Sequence, residues 1–303
     1  MKYYLGLDIG GTKTILRLED ENGNQTARKK IPTPKTVPAL FEAVNGFVSE
    51  SGDIEPDIAA MCCGVPGSVS PSGEEIGLIP SLGWEGGVLA EELFSKFSFP
   101  CAAVNDVNCA LWAHAAEKKD KVVFFMAIGT GVGGAVSVGG KVLTGASGCA
   151  GEIGYMISAR EAGDIVSGKR KPYDGFGALE SKISGTALEK TASSLGYENS
   201  TVMFDDALSP SPQNAKAKDA VNDFLLYLAA AIANCAAILD PDEVIIGGGV
   251  SNSLPPYMGR LKEIIRKIVP IDVCVSISPL KNDAGAVGAC RAARYLFENG
   301  SLF

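Results

Sequence analysis

The chain has few of the residues that build metal sites, disulfide frameworks or nucleic-acid interfaces. It contains 1 histidine among 303 residues, and none of its 8 cysteines forms a C-x-x-C pair with another. This usage predicts reduced, buried thiols and argues against a disulfide framework. Positive charge is also in deficit, since 27 Lys and Arg residues face 35 Asp and Glu residues for a formal net charge of −8. We therefore expect no nucleic acid among its partners.

Long apolar runs are missing as well. The opening run, residues 3–9, is too short for a signal peptide, and the most apolar stretch, 229–239, contains Asn234 and has acids on its flanks. We expect neither segment to span a membrane, and 229–239 is predicted to be a buried helix. Hydrophobic residues at 46% and charged residues at 20% are typical of a soluble globular protein, which we expect to be cytoplasmic and without a membrane partner.

Short apolar runs alternate with segments of helical periodicity through the chain. Strands are predicted at residues 3–9, 15–19, 58–64, 101–104, 122–128, 135–138, 243–246 and 273–277, with one further strand before residue 37. Helices are predicted at 37–49, 88–97, 107–117, 179–195, 216–239, 254–268 and 284–298, with a loop at 157–176 and a linker at 209–213. This alternation predicts an α/β fold.

Three glycine clusters follow predicted strands directly, at Gly10-Gly11, 129–134 and 247–249. Glycine permits positive φ and lets backbone N–H groups approach an anion closely, so each cluster is a candidate phosphate site. Any one cluster could be a tight turn and nothing more, but three in one chain favour phosphate binding. The first two share the order strand, glycine turn, strand, which predicts an internal structural duplication.

Two familiar phosphate motifs do not fit these clusters. Residues 129–134 match G-x-G-x-x-G, but that fingerprint requires a helix after the turn, and 135–138 alternate as a strand does. A Walker loop is excluded because Thr12 separates Gly11 from Lys13. The turn at Gly10 offers another solution, in which its backbone and the Thr12 hydroxyl donate to phosphate, Lys13 offsets charge and Asp8 holds magnesium through water.

Taken in order, the motifs resemble the ROK family of bacterial sugar kinases and repressors, within the actin-like ATPase superfamily. The matching segments are LDIGGTK (7–13), GVPG (64–67), LGW (82–84), ND (105–106), GTGVGGA (129–135), GEIG (151–154), GALESKISGTAL (177–188), LDPDEVIIGGG (239–249) and DAGAVGA (283–289). The resemblance implies a two-lobed actin-like (ribonuclease H-like) α/β fold. It implies a small lobe of residues 1–106 plus 285–303, a large lobe of 107–284, and substrates in a cleft between them.

The resemblance also implies the roles of individual residues. Asp106 would be the general base that takes the proton from the attacking sugar hydroxyl, although a helix N-cap is an alternative role for it. The other implied sugar-binding residues are Gly67, Asn105, Glu152, Tyr155 and Glu180. The implied nucleotide-binding residues are Asp8, Gly10, Gly11, Thr12, Lys13, Thr130, Gly131, Gly133, Gly248 and Gly249, with ATP and Mg²⁺ as cofactors and the magnesium near Asp8.

The chain departs from the family at a zinc motif and at the sugar site. Tyr155 stands where the family has a histidine, Ala178 stands where it has the last cysteine, and 157–178 contain neither Cys nor His. We therefore predict no zinc, with Tyr155, Tyr173 and Phe176 packing the loop instead. Tyr155 also replaces a usual sugar ligand, and Ser81 stands where Asn is frequent, with Trp84 a further candidate in the sugar cleft. The lone His114 is predicted to lie on a helix surface.

Three functions are compatible with the resemblance. The first is ATP-dependent phosphorylation of the 6-hydroxyl of a hexose, glucose or an N-acylhexosamine such as N-acetylmannosamine. The second is a sugar-sensing regulator without catalysis, although no helix-turn-helix precedes the first strand and the charge is unfavourable for DNA. The third is a filament-forming actin relative, in which Glu152 and Glu180 would have no role. We favour the kinase, and the resemblance implies a homodimer.

Overall fold

The computed structural model describes residues 1–52, 57–77, 88–169, 171, 177–211 and 214–302, with the side chains of 88 and 89 excepted. The predictions for Ser81, Trp84, Tyr173 and Phe176 lie outside these residues, as does the whole LGW motif. The strands are β1 (Tyr3–Ile9), β2 (Lys13–Asp20), β3 (Gln25–Pro32), β4 (Ile58–Val65), β5 (Glu75–Ile76), β6 (Val88–Leu89), β7 (Cys101–Asn105), β8 (Val122–Ile128), β9 (Val132–Val138), β10 (Lys141–Val142), β11 (Glu243–Gly247) and β12 (Val275–Ile277). The helices are α1 (Val37–Glu50), α2 (Ala90–Phe94), α3 (Asp106–Ala115), α4 (Ala159–Val166), α5 (Glu180–Ile183), α6 (Gly185–Ser194), α7 (Ser200–Ala207), α8 (Ala215–Leu239), α9 (Met258–Ile268) and α10 (Ala284–Asn299).

Two five-stranded sheets organise these elements, and they share one topology. The first has the order β3-β2-β1-β4-β7 and the second the order β10-β9-β8-β11-β12. In both sheets the first strand in sequence lies at the centre, with the second and third on one side and the later two on the other. The predicted internal duplication is therefore confirmed at the level of strand order.

The centre of the first sheet, at β1 and β4, is buried on both faces because these strands alternate their side chains between two cores. Leu5 and Leu7 of β1 pack in one core with Val44 of α1. Tyr4 packs in the other core with Trp112 of α3. Helix α10 lies very close to β1, since a Cβ on Gly6 would be 2.6 Å from the Cys290 nitrogen. The central strand therefore has helices against both its faces.

The predicted helix at 179–195 is interrupted at Ser184. This residue has extended backbone angles, φ −65° and ψ 155°, and its side chain accepts a hydrogen bond from Ala187 N. Serine favours this position because its oxygen satisfies an amide that the start of a helix leaves unpaired. The segment therefore forms two helices, α5 and α6, whose junction at Ser184 presents the N-terminus of α6.

The predicted loop at 157–176 contains a helix, α4, so that prediction was wrong for the part that is described. Ser158 and Glu161 form a reciprocal capping box at its start, in which each side chain accepts from the other residue's backbone N–H. The Ser-x-x-Glu spacing was the signal in the sequence for this helix start. No residue of α4 is buried, and its lack of a buried apolar stripe explains why periodicity did not reveal it.

Smaller differences concern the ends of elements. The predicted helix at 88–97 is the strand β6 followed by the short α2, and the predicted strand at 273–277 begins at Val275. The helix predicted at 254–268 begins as a 3₁₀ turn, Pro255–Tyr257, before α9. Helix α7 was not predicted, although Asn199 caps it by accepting from Val202 N.

Helix α8 is more apolar over a greater length than the sequence analysis allowed. Its 25 residues reach the length and hydropathy of a membrane span, so the expectation that no segment does so was wrong. Within its most apolar window, 56% is buried inside the protein. The core helix of a soluble protein passes the same test, so length and composition do not make α8 a membrane helix.

The chain divides into two compact units. The first unit is Met1–Asp120, Val136–Ala150 and Asp283–Phe303, and the second unit is Lys121–Ala135 and Gly151–Asn282. The sequence analysis placed the main boundary after residue 106, whereas α3 groups with the first unit because it packs against α10 and β4. The placement of substrates between two lobes stays a prediction.

Candidate active site

The first glycine turn joins β1 to β2 in the first unit. Gly10 N donates to Lys13 O at 3.0 Å, which closes the turn. Thr12 and Lys13 are exposed at its tip. The four residues that the sequence analysis assigned to phosphate therefore form one tight, accessible turn at the end of a buried strand.

Two residues that the motifs did not include hold this turn. Thr33 Oγ1 donates to Gly10 O at 2.6 Å, and Thr33 N donates to Thr12 O at 3.0 Å. Lys35 Nζ donates to Gly11 O at 2.8 Å. Sequence reasoning missed both because they lie more than 20 residues along the chain from the turn and match no quoted segment.

Asp8 lies at the end of β1 against the first turn of α10. A Cβ on Gly285 would be 2.5 Å from Asp8 Cγ, so only glycine allows the helix to lie this close. Burial raises the pKa of Asp8 to about 6, and the negative charge of Asp283 adds to the effect. Asp283 is itself paired with Arg28 at 2.6 Å. An acidic group that is costly to ionise, with a second acid beside it, suits a divalent cation, and Asp8 and Asp283 are the residues that fit magnesium here.

Asn105 and Asp106 lie where β7 passes into α3. Asn105 Oδ1 accepts from Val107 N at 2.9 Å and from Asn108 N at 3.2 Å, so Asn105 is the N-cap of α3. Asp106 is the first residue of the helix, and its Oδ1 also accepts from Val107 N at 2.9 Å. The N-cap of α3, considered as an alternative role for Asp106, is therefore Asn105.

Gly67, a predicted sugar-binding residue, lies beside Asn105. Asn105 Nδ2 donates to Gly67 O at 3.1 Å, which ties the GVPG segment to the start of α3. Gly64 of the same segment allows the close approach of β4 and α3, because its Cβ would be 3.0 Å from the Cys109 side chain. The first unit thus brings together Gly67, Asn105 and Asp106.

The second glycine turn follows β8 in the second unit and is packed against a carboxylate. Glu180 Oε2 accepts from Val132 N at 2.7 Å. A Cβ on Gly131 would be 2.5 Å from the same oxygen, so a side chain at this position would displace the Glu180 carboxyl group. Glu180 was predicted to bind a sugar hydroxyl, and the structure shows that one of its oxygens positions the predicted nucleotide turn.

The N-terminus of α6 supports the same turn. Gly185 N donates to Gly129 O at 2.7 Å, and Thr186 Oγ1 donates to Thr130 O at 2.8 Å. The third glycine cluster lies close by, since Gly248 has φ +85° and its Cβ would be 2.4 Å from Ile128 O. Strands β8 and β11 are parallel neighbours, so their carboxyl ends bring the two glycine clusters together.

The remaining predicted nucleotide residues belong to these clusters. Gly133 lies on β9, and Gly249 begins the 3₁₀ turn Gly249–Ser253. Ser251 stabilises that turn, because its Oγ donates to Gly248 O at 2.7 Å. The predicted nucleotide residues of the second unit therefore form one patch.

Glu152 lies beside Glu180 at the start of a 3₁₀ turn, Ile153–Tyr155. Loss of water around the carboxyl raises the pKa of Glu152, and the negative charge of Glu180 raises it further. Two acids in one place suit ligands with several hydroxyls, because each carboxylate oxygen accepts hydrogen bonds. The predicted sugar acids of the second unit are thus close enough to influence each other.

The packing of Tyr155 against the following loop stays a prediction, because residues 172–176 lie outside those that the structure describes. With 56% of its surface exposed, the ring of Tyr155 is accessible to a ligand. Ala178, at the position of the family's last cysteine, is buried. Within the described residues, no three side chains of His, Cys, Asp or Glu cluster as metal ligands, while the zinc prediction also concerns residues outside them. His114 lies near the end of α3.

Comparison with known proteins identifies the family of this chain. The sequence model of the ROK family matches residues 4–295. The chain belongs to the ROK family. It is 30% identical to an N-acetylmannosamine kinase of Salmonella heidelberg, over 96% of this chain and 98% of the relative, and 26% identical to a glucokinase of Streptomyces coelicolor, over 96% and 97%.

A solved structure supports the same assignment. The ROK family glucokinase from Streptomyces griseus, in complex with glucose and AMPPNP, matches with a TM-score of 0.72 and 25% identity, covering 97% of this chain and 99% of that one. The predicted α/β actin-like fold of this ROK protein is thereby confirmed. The two sheets of identical strand order are the feature of the fold that carries both glycine turns.

Proposed function

We propose that this ROK protein is an ATP-dependent hexose kinase that transfers the γ-phosphate to the 6-hydroxyl of glucose or of an N-acylhexosamine. The observation that carries the proposal is the pair of glycine turns, each with a carboxylate nearby, because Asp8 lies on β1 just before the first turn and Glu180 contacts the second turn at Gly131. Phosphoryl transfer depends on alignment and charge neutralisation, which such turns and a magnesium-binding acid supply. Relatives named glucokinase and N-acetylmannosamine kinase support the substrate class.

In the proposed mechanism, Asp106 takes the proton from the attacking hydroxyl. Its position at the first residue of α3 supports this role, because Asn105 caps the helix and Asp106 is not needed for that purpose alone. Asn105 and Gly67 would orient the sugar, with Glu152, Glu180 and Tyr155 holding further hydroxyls. Magnesium, held by Asp8 with Asp283, would neutralise charge on the transferred phosphate.

The test is ADP release from magnesium-ATP across a panel of hexoses and N-acylhexosamines, measured for the wild type and for Asp106→Asn. Asparagine retains an acceptor for Val107 N, so the variant should fold normally and bind sugar. We expect turnover with one sugar class and a loss in kcat of about 10²–10⁴-fold in the variant, the usual contribution of a general base.

Two outcomes would contradict the proposal. Absence of turnover with every sugar, with sugar still raising the melting temperature of both proteins, would indicate a sugar-sensing regulator. Equal turnover in the wild type and Asp106→Asn would remove Asp106 from the chemistry. The expectations of a cytoplasmic location and a homodimer remain predictions, and sedimentation at several concentrations tests the second.

A further inference from the structure

The segment Thr33 to Lys35 makes hydrogen bonds to three consecutive carbonyls of the first glycine turn. Gly10 O accepts from Thr33 Oγ1 at 2.6 Å, Gly11 O from Lys35 Nζ at 2.8 Å and Thr12 O from Thr33 N at 3.0 Å. The three donors lie within three residues of one another, so the carbonyls are drawn toward one side of the turn.

The direction of the carbonyls determines the direction of the amides. In a planar trans peptide, the C=O of one residue and the N–H of the next point in opposite directions, and the described chain has no cis peptide. Holding the carbonyls of Gly10, Gly11 and Thr12 therefore turns the N–H groups of Gly11, Thr12 and Lys13 away from residues 33–35. Those three amides are the donors that a phosphate group would meet.

Thr33, which donates to Gly10 O, is itself held in place by the core. Thr33 is 6% exposed, and its hydroxyl accepts from Thr14 Oγ1 at 3.2 Å, while Thr14 is fully buried on β2. The hydroxyls of Thr14 and Thr33 thus form a short chain that ends on Gly10 O. Lys35, by contrast, is exposed, so its bond to Gly11 O is accessible to mutation without disturbing a core.

We infer that Thr33 and Lys35 are positioning residues, which fix the peptide planes of the first glycine turn so that its amides point at the phosphates of the nucleotide. This inference rests on the proposed function, since it assigns the turn to nucleotide. The two residues act through the backbone of the turn and contact no reacting atom themselves.

The experiment measures the dissociation constant of magnesium-AMPPNP by calorimetry for the wild type and four variants. Thr33→Val removes the hydroxyl and keeps the branched shape, whereas Thr33→Ser keeps the hydroxyl. Lys35→Met removes the amine and keeps most of the chain length. Thr26→Val is the matched control, because the Thr26 hydroxyl bonds Leu18 O at 3.3 Å on the same sheet but away from the turn.

We expect Thr33→Val to weaken binding about tenfold, as for the loss of one buried hydrogen bond, with Thr33→Ser near the wild type. Lys35→Met should weaken it roughly threefold, since its bond is exposed. The control should bind as the wild type does. Wild-type affinity in Thr33→Ser together with weaker binding in Thr33→Val would show that the hydroxyl, and not the packing of the side chain, determines the affinity.

The outcomes distinguish this inference from the function on which it rests. A wild type that binds no magnesium-AMPPNP overturns both. A wild type that binds, with Thr33→Val and Lys35→Met binding equally well, overturns only the positioning role. Should Thr33→Val melt at a much lower temperature, Lys35→Met decides, because unchanged affinity in that exposed variant counts against the inference.

Discussion

The two glycine turns occupy equivalent places in two sheets of the same strand order, yet different elements support them. In the first unit, residues 33–35, just after β3, hold the carbonyls of Gly10, Gly11 and Thr12. In the second unit, the start of α6 holds the carbonyls of Gly129 and Thr130. Both arrangements fix the peptide planes, so the amides that follow the held carbonyls point away from the support.

The second turn differs in that one of its amides donates to a side-chain carboxylate. Val132 N donates to Glu180, so this amide is directed at the protein's own carboxylate and not at a ligand. The first turn carries its acid, Asp8, on the strand that precedes it, and that acid contacts α10 through Gly285. The strand order is thus shared between the two sheets, whereas the residues that orient each turn are not.

The largest expected effect comes from alanine substitutions at the two glycines that contact carboxylates, Gly285 beside Asp8 and Gly131 beside Glu180. Gly285→Ala would place a Cβ within 2.5–2.8 Å of three Asp8 carboxyl atoms, and Asp8 is short and fixed on a buried strand. Gly131→Ala would meet only the Glu180 carboxyl group, at the end of a longer side chain that moves more easily. We expect kcat/KM for ADP release to fall at least about 100-fold in the first variant and about tenfold in the second, because overpacking costs more where the neighbour cannot move.

Each variant has a matched control in the same chain. Gly259 is the second residue of α9, as Gly285 is of α10, and Gly129 lies in the same turn as Gly131, and a Cβ at either control position would meet no atom within 4 Å. Gly259→Ala should therefore retain activity, and Gly129→Ala, in the predicted phosphate turn, should lose less activity than Gly131→Ala. Equal losses in all four variants would show that the carboxylate contacts are not the cause.

The next prediction concerns the pH dependence of stability in the first unit. Asp8 titrates at about 6 when folded and at 3.8 in its ordinary state, so the folded protein binds more protons than the unfolded one between these values. The free energy of unfolding should therefore decrease as pH rises from about 4 to 6, by on the order of 3 kcal/mol from this group. Urea titrations of the wild type and of Asp8→Asn at several pH values measure this contribution.

The difference between those two proteins isolates Asp8 from other titrating groups. Asparagine resembles the protonated acid, so Asp8→Asn should gain stability relative to the wild type as pH rises through 6, and then show a constant difference. Arg28→Met should enlarge the wild-type effect, because Arg28 pairs with Asp283, whose charge raises the pKa of Asp8. Parallel pH profiles for the wild type and Asp8→Asn would contradict the burial of an ionisable Asp8.

A third prediction compares the helix caps beside the two sites. Asn105→Ala and Ser184→Ala each remove an N-cap, and each should lower the free energy of unfolding by about 1 kcal/mol. Asn105→Ala should also lower kcat, and by more than Ser184→Ala does, since Asp106 follows Asn105 directly and Gly67 loses its hydrogen bond. Thr36→Ala, at the cap of α1, is the control for stability loss without a change in kcat. A comparable kcat loss in the control would remove the distinction.

The parts of the fold that sequence predicted well are those with a local cause. Strands β1 and β8 are short runs of apolar residues between polar or glycine boundaries, and both begin and end at the predicted residues. The glycine turns were also found, because a strand followed by glycines is a local pattern. The fold and the family could therefore be predicted from the sequence.

The contacts that hold the site residues in place could not be predicted from the sequence, because they join residues far apart in the chain. Gly285 contacts Asp8 although the two residues are 277 positions apart in the chain, and neither residue type predicts the other. Glu180 was assigned to sugar alone because its type suits hydroxyls, whereas its bond to Val132 N depends on where α5 lies. Residue type indicated the chemistry, and tertiary packing decided which backbone group each side chain would hold.

The smallest expected effect concerns the acid pair of the second unit. Glu180→Gln keeps an oxygen that accepts from Val132 N but removes the negative charge near Glu152. The pKa of Glu152 should fall, yet remain above its ordinary value, because burial raises it more than the Glu180 charge does. Carboxyl carbon NMR across pH measures this shift, with the exposed Glu198→Gln as control. We expect kcat/KM to change less than about tenfold, because the turn keeps its hydrogen bond. An unchanged Glu152 titration would mean that the two acids do not interact, and Glu180 would then serve the glycine turn alone.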